Sequence, residues 1–168
     1  AEKLIREMRT EIKTFFHGED PEKSLVTDNL RRLTGLLSHY ELHYIKKENI
    51  LFPYLEKTFP QYRCLQIMWS FHDDFRRSIR ELDDILKISE PDEKLLSKVL
   101  GNLFFVVLPI IFREEQIVFP VAYKALPQKA WEEMMDQSHE TGWCFIEPPV
   151  AGAKKVIQTG IEDLVNLK

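Results

Sequence analysis

The sequence predicts an all-α protein, an up-down four-helix bundle with a short fifth helix and a C-terminal linker segment. Three observations predict it. Apolar residues recur at intervals of three and four along nearly every long stretch, strand-like alternation is scarce, and the breaks between periodic stretches are short.

Leu4, Ile5, Met8, Ile12, Phe15 and Phe16 form one face of a first helix, which His17-Gly18 ends with a glycine suited to a C-cap. Asp20-Pro21 restarts the helix, with Asp as N-cap and Pro at the first position. This second helix is expected to run to about Lys57 with a kink at Pro53. A third is expected from Tyr62 to Ile88, where Ser89-Glu90-Pro91-Asp92 breaks it. The fourth runs from Asp92 to Ala125, with Gly101, Pro109 and Pro120 as weak points, and the fifth from Gln128 to His139 after Pro127. Beyond Gly142, residues 143–149 read as extended and 150–158 as linker, and Thr159-Gly160-Ile161-Glu162 fits a capping box opening a last short helix. The expected division is a bundle over residues 1–149 and a linker over 150–168 that leads toward a further domain.

The charge balance narrows the function. With 23 Lys+Arg against 27 Asp+Glu the net charge is -4, which disfavours nucleic acid as the main partner. Two distant cysteines, Cys64 and Cys144, exclude a four-cysteine metal knuckle and a disulfide framework and suit a reducing, cytoplasmic setting. The longest apolar run, Leu103 to Phe112, is about half the roughly twenty residues a membrane span needs, so it reads as a buried helix and not a transmembrane segment. The chain opens on charged helical residues with neither a signal peptide nor an initiator Met, as expected of a fragment that has lost upstream residues. No Gly-rich phosphate loop or nucleophile motif is present, so an ordinary small-substrate enzyme is not expected.

Residues 46–53 (Lys-Lys-Glu-Asn-Ile-Leu-Phe-Pro) and 113–120 (Arg-Glu-Glu-Gln-Ile-Val-Phe-Pro) match at an offset of 67, with Lys47 against Glu114 as the one clear mismatch. Two related helical hairpins follow from this repeat, and it carries the helical phase from one to the other. Leu65, Met68, His72, Phe75, Ile79, Leu82 and Leu86 form one inward stripe. Leu96, Leu100, Leu103, Val107, Ile110, Glu114, Ile117 and Val121 form another. The repeat then places Leu33, Leu36, Tyr40, His43, Lys47, Ile50 and Tyr54 inward on the second helix. Four polar positions therefore interrupt the core: His43, Lys47, His72 and Glu114, with Arg76 and Glu115 on the flank. Burying such groups costs several kcal/mol each unless they are paired or bound. Two readings satisfy that cost. In one, imidazoles and carboxylates converging from different helices hold iron or manganese, with His43, His72, Glu114, Glu115 and Glu48 as candidate ligands and Tyr40 or Tyr54 beside them. In the other, Lys47 and Arg76 pair with Glu114 and Glu115 while the histidines hydrogen-bond in place. His39 falls on the outer edge of its stripe and reads as solvated, and His139 lies near a helix end, where a positive ring suits the dipole. Cys64 and Cys144 lack the basic surroundings of a reactive thiolate.

The segments His43-Tyr44-Ile45-Lys46-Lys47-Glu48-Asn49-Ile50-Leu51-Phe52-Pro53, His72-Asp73-Asp74-Phe75-Arg76 and Glu114-Glu115-x-x-x-Phe119-Pro120 resemble the hemerythrin-like, HHE cation-binding family. The likeness is greatest to the subgroup that precedes a PAS sensory domain, in which residues 142–149 resemble the segment closing the bundle. The resemblance implies a four-helix bundle with a non-haem iron site, of one or two ions, that binds or senses O2, iron or NO and signals to a downstream sensory domain. Manganese or zinc would suit the same donors. The sequence departs from the family pattern at Lys47, Arg76 and Ile110, where the resemblance would place a glutamate and two histidines. Those departures imply the alternative function, a metal-free bundle with a buried salt-bridge layer serving as a structural or interaction module beside a sensor domain.

Overall fold

A computed structural model describes residues 1–17, 20–61, 63–88 and 90–149. The C-cap at Gly18, the helix limit at Tyr62, the break at Ser89 and the linker with its capping box over 150–168 lie outside the described residues. Among the described residues every regular element is helical: α1 (Glu2–His17), α2 (Asp20–Ser38), α3 (Glu41–Lys46), α4 (Phe52–Thr58), α5 (Cys64–Leu86), α6 (Glu93–Arg113), α7 (Phe119–Ala125) and α8 (Gln128–Thr141).

Two π turns, Lys47–Leu51 and Glu114–Val118, join α3 to α4 and α6 to α7 without a break. They sit at the same repeat offset of 67, and each is followed by Phe-Pro at the start of the next α-helical stretch. The proline explains the geometry. Its ring would meet the carbonyl four residues back in an α-helix, and widening that turn to bond five residues back relieves the clash. The Phe52 N–H accordingly reaches the Lys47 carbonyl, and the Phe119 N–H the Glu114 carbonyl.

The π turns also correct the expected stripe. One extra residue per turn rotates everything downstream by about one helical position. Leu51 and Leu55 join Ile50 in the core while Tyr54 is only half-buried; Val118 and Ala122 are buried where Ile117 and Val121 were expected. A second correction concerns the second helix, whose division falls at His39-Tyr40, a turn, and not at Pro53. Upstream of the break Leu37 continues the buried stripe of Val26, Leu30 and Leu33 in place of Leu36, and downstream of it Tyr44 is inside in place of Tyr40.

α1 packs on α2 and α6, α2 on α5, and α5 on α6, so the contacts close a ring around one core. Arg31 bonds the Leu86 carbonyl, Arg76 bonds Glu41 and His72 bonds Glu48, so the α2–α4 course runs opposite to α5. Lys23 meets Glu93 and Lys47 meets Glu114, so that course runs alongside α6–α7 in the same direction. The α6–α7 helix, Glu93–Ala125, is 33 residues long and passes as a membrane span by length and composition. It buries Leu96, Leu100, Leu103, Val107 and Ile110 against the other helices, as a bundle-core helix does.

Gly142 at φ 90° ends α8, a backbone setting that suits glycine. The chain then folds onto the α2–α3 junction. The Lys46 ammonium lies 3.4 Å from the Trp143 ring centroid, and Phe145 packs 5.0 Å from Tyr40.

The start of α6 is set by Asp92, whose carboxylate accepts the Leu95 N–H at 2.7 Å. Asp92→Ala is expected to cost about 1 kcal/mol, read as a lower urea midpoint with an unchanged slope.

Candidate functional site

The two π turns face each other across the core, and the polar residues gather at their level. Lys47 and Glu114, the first residues of the turns, occupy equivalent positions of the repeat and form a buried ion pair. Glu114 also has its second oxygen 3.3 Å from His43 Nε2, one helical turn before Lys47. The Lys47 ammonium lies 4.4 Å from the centroid of the Tyr44 ring.

His72 comes from the middle of α5 and is fully buried. Its Nδ1 lies 2.8 Å from Glu48 Oε1. A carboxylate only accepts, so this contact assigns the proton to Nδ1 and leaves Nε2 as an acceptor. The ring is held between Tyr44, at 4.3 Å and 15°, and Phe52, at 5.9 Å and 12°. Nε2 finds no hydrogen-bond donor among the described residues, and Glu114 Oε1 is 3.8 Å away. The other oxygen of Glu48 takes Arg76 Nη2 at 2.7 Å, and Arg76 Nε reaches Glu41 at 2.8 Å. One chain of contacts thus runs from Glu41 through Arg76, Glu48 and His72 to Glu114, Lys47 and His43.

Of the residues singled out as candidate ligands, the fold brings His43, His72, Glu48 and Glu114 together. Glu115 is exposed on the outer surface of its π turn. Ile110, one turn before Glu114, is fully buried and closes the layer with hydrocarbon. Tyr44 was not singled out by the sequence reasoning, which took Tyr40 and Tyr54 as neighbours. Tyr40 instead receives the amine of Ala1, and Tyr54 donates to Glu133 at 2.9 Å. Tyr44 could have been found from its place four residues before Glu48 and one turn before Lys47.

Charge decides what the layer can hold. The buried carboxylates Glu48 and Glu114 face Arg76 and Lys47, with Arg76 shared with Glu41 and the exposed Asp73, while the two imidazoles are kept neutral. Burial, and next to it the Lys47 charge, lowers His43 to about 3. Burial, Lys47 and Arg76 together press His72 down as well. Burial also pushes the Lys47 ammonium well below its ordinary value, opposed by Glu48. Burial works against the Arg76 guanidinium too, but the hydrogen bonds it donates to Glu48 and Glu41 outweigh it and raise its pKa. With Lys47 on Glu114 and Arg76 on Glu48, the donor set as arranged does not fit a metal. A cation between His43, His72 and Glu114 would meet the Lys47 ammonium, and both carboxylates are already neutralised. Among the described residues no group of three or more His, Cys, Asp or Glu is arranged to hold a metal ion.

The sequence profile of the hemerythrin HHE cation-binding domain matches residues 2–122 of this chain. The chain belongs to that family. A similar protein, uncharacterised, occurs in Dictyostelium discoideum, 20% identical over 160 residues that cover 84% of this chain and 60% of the relative. The chain thus spans about 60% of the length of the curated relative it matches. No solved structure matches. Within the hemerythrin domain, the helices that converge on the core deliver two cations along with their carboxylates and imidazoles.

Neutral buried histidines make stability depend on pH. The unfolded chain takes up protons at His72 below about 6.5 while the folded chain does not. This contribution is complete above that pH and is lost on acidification, at up to about 1.4 kcal/mol per pH unit. His43, more than a third exposed, adds less. Urea midpoints measured from pH 7 to 4 should fall, and His72→Gln should remove His72's share of the slope.

Proposed function

We propose that this hemerythrin domain is an up-down four-helix bundle in which a buried ion-pair layer stands in place of a metal centre. In this reading it works as a structural and protein-interaction module and neither binds nor senses O2. The observation that carries it is the Lys47–Glu114 pair: the one mismatch of the internal repeat supplies the charge that a bound cation would otherwise supply. Arg76 does the same for Glu48. Glu114 paired with Lys47 and Glu48 with Arg76, each with its other contact on His43 or His72, leave no unpaired buried carboxylate to attract an ion.

A second reading is favoured by one atom. The unpartnered Nε2 of His72 is a buried lone pair beside Glu114, as a ligand to a single iron ion would present it. In that reading Lys47 would leave Glu114, so that His43, His72, Glu114 and Glu48 would hold a single ion able to bind O2 or NO, and a downstream PAS-type domain would receive the signal.

Metal content separates the two. Protein purified anaerobically without chelator, and then offered Fe(II), is expected to retain negligible iron or manganese. Near-stoichiometric metal that disappears in His72→Ala would overturn the ion-pair reading and support the second.

The ion pair has its own signature. Glu114→Gln is expected to cost about 3–5 kcal/mol by stranding the Lys47 charge. Lys47→Met combined with Glu114→Leu should cost less than that single substitution, measured by urea denaturation of the metal-free protein.

A further inference from the structure

The outer face of α6 carries a stripe whose phenylalanines the bundle leaves uncovered, with Leu108 between them partly buried against the core. Lys98, Gly101, Phe105, Leu108, Phe112 and Glu115 follow one another at steps of three, four, three, four and three, so they share one side of the helix. Phe105 is 82% exposed and Phe112 63%. The neighbouring rings are treated differently: Arg9 covers Phe104 at 5.2 Å, and Arg113 covers Phe71 at 4.5 Å. No cation covers Phe105 or Phe112 among the described residues. A Cβ added at Gly101 would meet nothing within 4 Å, so packing inside the bundle does not explain this glycine. Glycine in a helix interior costs about 1 kcal/mol relative to alanine. Lys98 and Glu115, exposed at the two ends of the stripe, form no ion pair among the described residues.

We infer that this face pairs with the same face of a second copy of the chain, the two α6 helices running antiparallel. The spacing reads the same from either end about a centre between Phe105 and Leu108. Reversal therefore sets Phe105 against Leu108 of the second copy, Phe112 over the notch at Gly101, and Lys98 against Glu115. A parallel pair would instead set lysine against lysine and glutamate against glutamate. A surface that complements itself only when reversed is the signature of a two-fold, isologous interface. A membrane surface would favour basic residues around the phenylalanines, and the carboxylate of Glu115 at one end argues against it. The inference supplies a partner for the interaction-module reading but rests on other residues. Stoichiometric iron in a dimer would overturn that reading and leave this one standing, and a metal-free monomer would do the reverse.

Sedimentation of the whole chain over a range of concentrations at low salt tests it. The wild type is expected to dimerise and Phe105→Asp to remain monomeric. Lys98→Glu and Glu115→Lys should each weaken the dimer by at least about tenfold, because two-fold symmetry counts every repulsion twice. The double variant Lys98→Glu/Glu115→Lys should recover wild-type affinity. All these positions lie on the surface, and unchanged circular dichroism and melting temperature show that each variant is folded. A wild type that stays monomeric overturns the inference. A double variant as weak as the single ones also overturns it. So does binding to neutral phosphatidylcholine vesicles through Phe105 by a protein that remains monomeric.

Discussion

Lys47 and Glu114 meet in the interior from two helical courses that run side by side, and the rest of the layer is arranged around that contact. Charges buried to this extent are tolerated only when each has a partner and each partner's remaining lone pairs are used. Glu114 meets the requirement with His43, and Glu48 meets it with His72 and Arg76. The aromatic residues follow from the same need. Tyr44 lies flat against the imidazole of His72 and offers its ring to the Lys47 ammonium.

The repeat gives this arrangement its symmetry. Equivalent positions of the two hairpins carry the π turns, the Phe-Pro pairs and the two residues of the ion pair. Two copies of one charge at that point would repel across the core, whereas opposite charges attract without any third party. A single lysine at the repeat position thus changes what the layer requires.

Much of this was legible in the sequence. The helical character, the start of α6 at Asp92 and the inward placement of His72 and Glu114 follow from period and break residues, and that of Lys47 from the repeat. The offset of 67 paired the correct positions because it survives any local change common to both repeats. Residues downstream of the π turns were misassigned for the same reason: the extra residue occurs in both copies, so comparing them reveals nothing. Val118 therefore took the place expected of Ile117. The break at His39-Tyr40 was hidden because neither residue is a strong helix breaker, and with it went the inward turn of Tyr44. Glu115 is the repeat equivalent of Glu48, yet only Glu48 has His72 and Arg76 of α5 to meet it and is buried, while Glu115 is exposed.

Each buried carboxylate divides its two oxygens between two groups one turn apart on the helix it faces: Glu114 between Lys47 and His43, and Glu48 between His72 and Arg76 of α5. Leucines facing leucines can slip by a turn and find similar neighbours, because apolar contact has no direction. Hydrogen-bonded charges cannot, since displacement by one turn would leave every oxygen facing hydrocarbon. The layer is therefore a key that admits one alignment of α3 with α5 and one of α3 with the α6–α7 junction. It costs the bundle some stability compared with an apolar core and removes its freedom to settle in any other register.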